Sequence, residues 1–231
     1  NLKTLQEGDK GGRTRTGGGW VLTLKSPRLQ KSLPNSITLM AMTPDSPYQT
    51  LSDLLQRHAQ AQPHAAAIRD PETTLSYAAL NERINRVACA LQRDGVSPGE
   101  AIAICGLSGV DYACVFLGAL RAGVVVAPLA PSVTPQILTG MLRDAQARLL
   151  FLDAAALALV EPEMQSLKRI ALDGSDAGQT LEAWLAPAHS TPSPVNVAPE
   201  AAFNIIYSSG TTGTPKGIVQ SHGMRWMHMR R

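Results

Sequence analysis

From Thr50 onward the apolar positions fall into two recurring patterns. Leu80, Ile84, Val87, Ala88 and Leu91 repeat at the helical period, leaving Asn81, Glu82, Asn85 and Arg86 on the side expected to face water. Ser76 stands where an N-cap belongs, Gly95 where a helix stops, and Ser97-Pro98-Gly99 reads as a turn. Ala101–Cys105 is short, apolar throughout and free of alternation, which is the pattern of a strand covered on both faces. The two patterns then take turns. A helix from Val110 to Arg121 precedes a strand at Val124–Ala127, which Pro128 and Pro131 stop. A helix from Thr134 to Ala147 precedes a strand at Arg148–Leu152, and further strands are predicted at Lys168–Leu172 and Phe203–Tyr207. Upstream, Thr50 and Asp53 have capping-box spacing around Leu51, Leu54 and Leu55, and Pro63 ends that helix. Ala65–Arg69 and Thr73–Leu75 are short extended segments on either side of the turn at Asp70-Pro71.

Alternating helices and covered strands predict an α/β fold, a βαβ-type and largely parallel sheet with flanking helices and right-handed crossovers. The order divides the chain into four parts: a flexible basic leader (1–41), a first α/β subdomain (42–186), a linker with four prolines (187–199), and a strand, loop and helix start (200–231). Charge matters only once it is located. Of the net +3, the leader carries +5, so the body is mildly acidic and offers no footprint for nucleic acid.

Several chemistries are weakened early. Cys89, Cys105 and Cys114 lack C-x-x-C spacing and read as reduced thiols of a cytoplasmic protein. The five histidines show no metal-like spacing. The longest apolar stretch, Tyr112–Ala130, contains Arg121 and Pro128, so no transmembrane segment is expected. Asp111 and Asp144 are expected on solvated helix faces, without a paired carboxylate for acid–base work.

One stretch stands out. Tyr207-Ser208-Ser209-Gly210-Thr211-Thr212-Gly213-Thr214-Pro215-Lys216-Gly217 follows directly on an apolar strand. Its glycines let backbone N–H groups turn inward, its hydroxyls are short donors, and Lys216 is a point charge, which together make an anion cradle. It is not a Walker loop, because Pro215 and Gly217 stand where that pattern needs Gly and Ser or Thr. Ser208 and Ser209 have no His–acid partner to make them nucleophiles. Ser221 is placed to cap a helix from His222. The plain reading is a capped helix, and the sharper one is a second anion site at its N-terminus. Met224, Met227 and Met229 with Trp226 read as core by default.

Tyr207–Gly217 resembles the phosphate-binding loop of the AMP-forming adenylating enzymes, which include acyl-CoA synthetases, aryl-CoA ligases and peptide-synthetase adenylation domains. Leu75-Ser76-Tyr77-Ala78-Ala79-Leu80 is similar to an early motif of that family, and Leu120-Arg121-Ala122-Gly123 through Pro128-Leu129-Ala130-Pro131 to a second one. The resemblance runs from about Thr50 to the end. It implies ATP-dependent activation of a carboxylic acid to an acyl-adenylate, followed by thioester formation with coenzyme A. Ser208, Ser209, Thr211 and Thr212, with the backbone at Gly210 and Gly213, would hold the β- and γ-phosphates. Thr214 completes this nucleotide-binding set, and Lys216 serves as both phosphate contact and catalytic residue. Mg²⁺ would ride on the phosphates, its protein ligand lying outside this chain. The Ser-Ser-Gly-Thr-Thr-Gly form is similar to acyl- and aryl-CoA ligases; Ala130 departs from both branches. Alternatives are an amino-acid-activating adenylation domain and a non-catalytic nucleotide-binding remnant. The family's acyl pocket, hinge and C-terminal catalytic lysine lie further on. The resemblance therefore implies an N-terminal fragment, inactive alone, with unpaired sheet edges.

Overall fold

The computed structural model describes residues 13–16, 19–22, 47–208 and 215–230. The chain divides into two compact units, Asn1–Met42 and Thr43–Arg231. Within the first, β1 (Arg13–Thr16) and β2 (Gly19–Leu22) pair antiparallel. The rest of the expected leader lies outside the described residues.

The second unit follows the predicted order closely. Its elements are α1 (Leu51–Ala61), β3 (Ala66–Arg69), β4 (Thr74–Ser76), α2 (Tyr77–Arg93), β5 (Ala101–Cys105), α3 (Val110–Arg121) and β6 (Val125–Leu129). Then come α4 (Pro135–Asp144), β7 (Leu149–Leu152), α5 (Ala154–Leu157), β8 (Lys168–Ala171), β9 (Gln179–Thr180) and α6 (Leu181–Trp184). The unit closes with β10 (Ala202–Ser208), β11 (Lys216–Ser221) and α7 (His222–Met229). Caps sit where the sequence placed them. The Thr50 hydroxyl accepts from Asp53 N at 3.0 Å while the Asp53 carboxylate accepts from Thr50 N at 3.0 Å. The Ser76 hydroxyl accepts from Ala79 N at 3.2 Å.

Seven strands form one sheet in the order β11-β10-β6-β5-β7-β8-β9, parallel throughout except for the β10–β11 pair. Side chains alternate across it. Ile102, Ile104, Val126 and Phe151 pack with α2, α3 and Trp184 on one face. Ala103, Cys105, Ala127, Leu150 and Leu152 pack with Leu138, Met141 and Leu142 of α4 on the other. The chain steps from β5 to its neighbour β6, then crosses back over β5 to β7. Right-handed connections made in opposite directions put α3 and α4 on opposite faces. Because both faces are covered, β5 and β7 are fully buried, which accounts for their unbroken apolar runs.

Tertiary contacts override several polar assignments. Asn81 and Asn85 do not simply face water. They accept from Arg121 at 2.8 and 2.7 Å, and Arg121 also donates to the Ser52 hydroxyl at 2.8 Å. This guanidinium joins α1, α2 and α3, and burial pushes its pKa down to about 10. Asp111 is not free on a solvated face but pairs with Arg83 at 2.8 Å. Residues 187–199 lie beside α2, where the Gln92 amide and the Ser193 backbone exchange two 2.9 Å hydrogen bonds. All three cysteines are free, and burial pushes Cys105 up to about 11 and Cys114 to about 12, so neither is a ready nucleophile. No helix among the described residues is long and apolar enough to cross a membrane.

The α2–α3 crossing depends on Gly118. A Cβ there would run into the Val87 side chain and lie 3.1 Å from the Ile84 carbonyl oxygen. Val87 and Ile84 are fully buried and have nowhere to move. Gly118→Ala is expected to cost about 1–3 kcal/mol by overpacking, read as a lowered midpoint in chemical denaturation. An unchanged midpoint would show that the two helices do not meet this tightly.

Candidate functional site

β10 enters the sheet beside β6 and runs parallel to it, so its C-terminal end lies at the C-terminal edge of the parallel strands. Ligands of open α/β sheets bind at this edge. In sequence the loop leads on to a helix expected from His222. The structure inserts β11 between them, a strand signalled by the β-branched pair Ile218-Val219. Its ladder with β10 pairs Ala202 with Ser221 at one end, and Tyr207 with Gly217 and Ser208 with Lys216 at the other. Antiparallel pairing thus brings together two predicted site residues eight positions apart, both exposed. Ser209, Gly210, Thr211, Thr212, Gly213 and Thr214 lie outside the described residues. No ion pair among the described residues engages Lys216.

Another concavity lies along the same edge, where β5 and β7 end. It measures about 490 Å³ and is lined by Asp70, Asp111, Asp153 and Asp173 among others. Its charge is wrong for a polyanion, and its carboxylates are already in use. Asp153 accepts from Leu107 N and Ala156 N, each at 2.9 Å. Asp70 accepts from Val110 N at 3.0 Å, capping α3 in place of Gly109, which has no side chain to do it. That bond, with those from Thr73 and Glu72, holds the Asp70 carboxyl below its ordinary range. No group of three or more His, Cys, Asp or Glu among the described residues is arranged to hold a metal.

The second anion site considered for the α7 N-terminus is not present. His222 N donates to Ala201 O at 3.0 Å, Gly223 N to Pro199 O at 2.7 Å, and Met224 N to the Ser221 hydroxyl at 3.2 Å. The donors an anion would need are taken, and the helix begins at the opposite end of the ladder from Lys216. The plain reading of a capped helix is the right one. The default assignment of the methionines to the core is corrected, since Met224, Met227 and Met229 are exposed and only Trp226 of that group is buried. α7 is short and amphipathic, with one side packed on the hairpin. Among the described residues β11 has no second neighbour in the sheet, and Ile218 and Val219 are more than half exposed, which is the unpaired apolar edge expected from the resemblance.

A largely parallel sheet covered on both faces by helices and ending in an antiparallel hairpin defines an α/β protein. The chain matches the AMP-binding enzyme family over residues 55–229 and belongs to it. It is 34% identical over 177 residues to a fatty acid–[acyl-carrier-protein] ligase, ScoC, of Streptomyces coeruleorubidus, covering 75% of this chain and 33% of that protein. It is 30% identical over 179 residues to a dimodular nonribosomal peptide synthase of Bacillus subtilis (strain 168), covering 76% of this chain and 7% of that one. Among solved structures it resembles the anthranilate CoA ligase AuaEII in complex with anthranoyl-AMP. The TM-score is 0.69 at 25% identity, over 77% of this chain and 35% of that one. The chain therefore spans about a third or less of the length of these relatives.

His222 offers a pH test of how the hairpin is seated. Burial holds its imidazole below the ordinary value of 6.5, and the ring lies edge-on to Phe203 at 5.0 Å. As pH falls through 6.5 the unfolded chain takes up a proton that the folded ring resists. Stability is therefore lost below about pH 6.5, and the loss levels off once the folded ring also titrates. His222→Gln removes this component. The melting-temperature gap between wild type and variant is expected to narrow from pH 7.5 to 5.0, and a gap independent of pH would contradict a buried neutral ring.

Proposed function

We propose that this chain supplies the phosphate-binding part of an AMP-forming ligase that activates a carboxylic acid and passes it to a thiol. In the first step a carboxylate oxygen attacks the α-phosphorus of ATP, the bond to the bridging oxygen breaks, and pyrophosphate leaves. In the second step the thiol of coenzyme A attacks the acyl carbon and AMP departs. The observation that carries this reading is the placement of Ser208 opposite Lys216 at the root of the family's phosphate loop.

Attack by an anion on a polyanion demands charge neutralisation and donors for the leaving group. An exposed ammonium and an exposed hydroxyl at one loop root fit a polyphosphate. Lys216 neutralises charge on the β- and γ-phosphates, while Ser208, Ser209, Thr211, Thr212 and Thr214, with the backbone at Gly210 and Gly213, donate to their oxygens. Mg²⁺ carried on the phosphates would add further neutralisation, and no described residue is assigned to it. A cytoplasmic location accords with ATP and coenzyme A as substrates.

The Ser-Ser-Gly-Thr-Thr-Gly sequence favours coenzyme A as acceptor. A second reading, activation of an amino acid for a peptide synthetase, draws on the similarity to the Bacillus subtilis synthase. A carboxylate panel assayed with coenzyme A and with carrier protein separates the two. In the full-length protein carrying this chain, Lys216→Ala is expected to slow carboxylate-dependent ATP–pyrophosphate exchange about a hundredfold or more. Thioester formation from supplied acyl-adenylate should change little, because that step involves no pyrophosphate. Equal loss in both half-reactions would contradict the role given to Lys216.

A further inference from the structure

Tyr207 ties the root of the β10–β11 hairpin to α4. Tyr207 immediately precedes Ser208, and its hydroxyl lies 2.6 Å from Asp144 Oδ2 and 3.1 Å from Met141 O. Both neighbours are acceptors, so the phenol donates its one proton between them. Across the ladder from Tyr207 is Gly217. A Cβ on Gly217 would lie 3.0 Å from Asp144 Oδ2, 3.0 Å from Ile205 Cγ2 and 3.2 Å from the Tyr207 ring. The absence of a side chain there lets both strands close on the same carboxylate.

The two partners differ in how firmly each is held. Asp144 is the last residue of α4, whose Leu138, Met141 and Leu142 are buried against the sheet. The hairpin, by contrast, is an edge element. Its registered pairing with β6 is at Asn204 and Val126, four residues before Ser208. Among the described residues, the Tyr207 hydroxyl makes the side-chain hydrogen bonds that link the segment between that pairing and the site residues to the rest of the fold.

We propose that Asp144 is a positioning residue for the phosphate site: by holding the Tyr207 hydroxyl it sets where Ser208 and Lys216 stand at the end of the sheet. This rests on reading Ser208 and Lys216 as triphosphate contacts. Burial and the Asp144 carboxylate together push the Tyr207 phenol well above its ordinary value, so the hydroxyl remains a donor throughout the working pH range. The expected consequence lies in binding rather than chemistry. Loosening the root spreads the ammonium and the hydroxyl over more positions, and nucleotide binding must then restore the order that the tether supplied.

The test uses the full-length protein carrying this chain, with Tyr207→Phe, Asp144→Ala, Asp144→Asn and the Tyr207→Phe/Asp144→Ala double variant. Each of the first two is expected to raise KM for ATP in pyrophosphate exchange about five- to tenfold, the worth of one hydrogen bond. The change in kcat should be smaller, and thioester formation from supplied acyl-adenylate should be unaffected. Asp144→Asn keeps an acceptor and should restore most of the KM. The double variant should be no worse than either single one, because one interaction is removed in all three. Additive losses, or an equal fall in the thioester step, would overturn the positioning role. The two readings fail separately. Exchange that keeps its KM in Tyr207→Phe and Asp144→Ala but collapses in Lys216→Ala overturns the tether alone. Exchange indifferent to Lys216→Ala overturns the phosphate site and the tether with it.

Discussion

The antiparallel register of β10 and β11 decides what the loop between them can do. With Tyr207 opposite Gly217, Ser208 falls opposite Lys216 and the loop has two fixed ends. A slip of one residue would turn Lys216 to the other face of the sheet and separate it from its hydroxyl partner. The register is held from both ends. At the far end, Ala201 and Pro199 carbonyls and the Ser221 hydroxyl seat the start of α7. At the near end, Gly217 has no side chain to crowd the Asp144 carboxylate that holds Tyr207.

The rest of the fold is the platform for that register. Opposite crossovers around β5 bury both faces of the sheet and leave its C-terminal edge as the open rim. Two places on the rim are concave or projecting, and charge separates them. Of the aspartates in the concavity by β5 and β7, Asp70 and Asp153 cap α3 and α5 and hold the adjoining turn, and Asp111 pairs with Arg83. The lysine at the β11 end has no such structural employment among the described residues.

The three stretches that resemble the adenylating enzymes serve different physical ends. Ser76 in the first is an N-cap. Arg121 in the second is a buried clamp across three helices, held by neutral oxygens rather than by a carboxylate. In the third, from Tyr207 to Gly217, the described residues Ser208 and Lys216 are exposed at a sheet edge. Likeness along the chain thus mixes scaffold and chemistry, and burial and hydrogen bonding sort one from the other. The exposed Ile218 and Val219 on the outer strand accord with a chain that spans a third or less of its relatives.

Much of this architecture was legible in the residues themselves. Helix periods, caps, unbroken apolar strands and the composition of the loop are local properties, set by which neighbours a residue has within a few positions. They specify the α/β order and the boundaries of α3 and β5 and mark the loop as glycine- and hydroxyl-rich, while its identity as a candidate phosphate loop comes from the resemblance. What they left open depends on partners far apart along the chain. Nothing near Asp144 announces Tyr207, sixty-three positions away. Nothing near Asn81 or Asn85 announces Arg121, and Asp70 gives no local sign that it caps a helix forty residues on. The strand β11 has only the short local signal of Ile218-Val219, because an edge strand becomes one only when a partner ladder exists to receive it. The sequence by itself determined the elements and the chemistry available to them. The tertiary structure alone decided which polar side chains are scaffold and which remain open to a ligand, because that depends on donors and acceptors meeting across the fold.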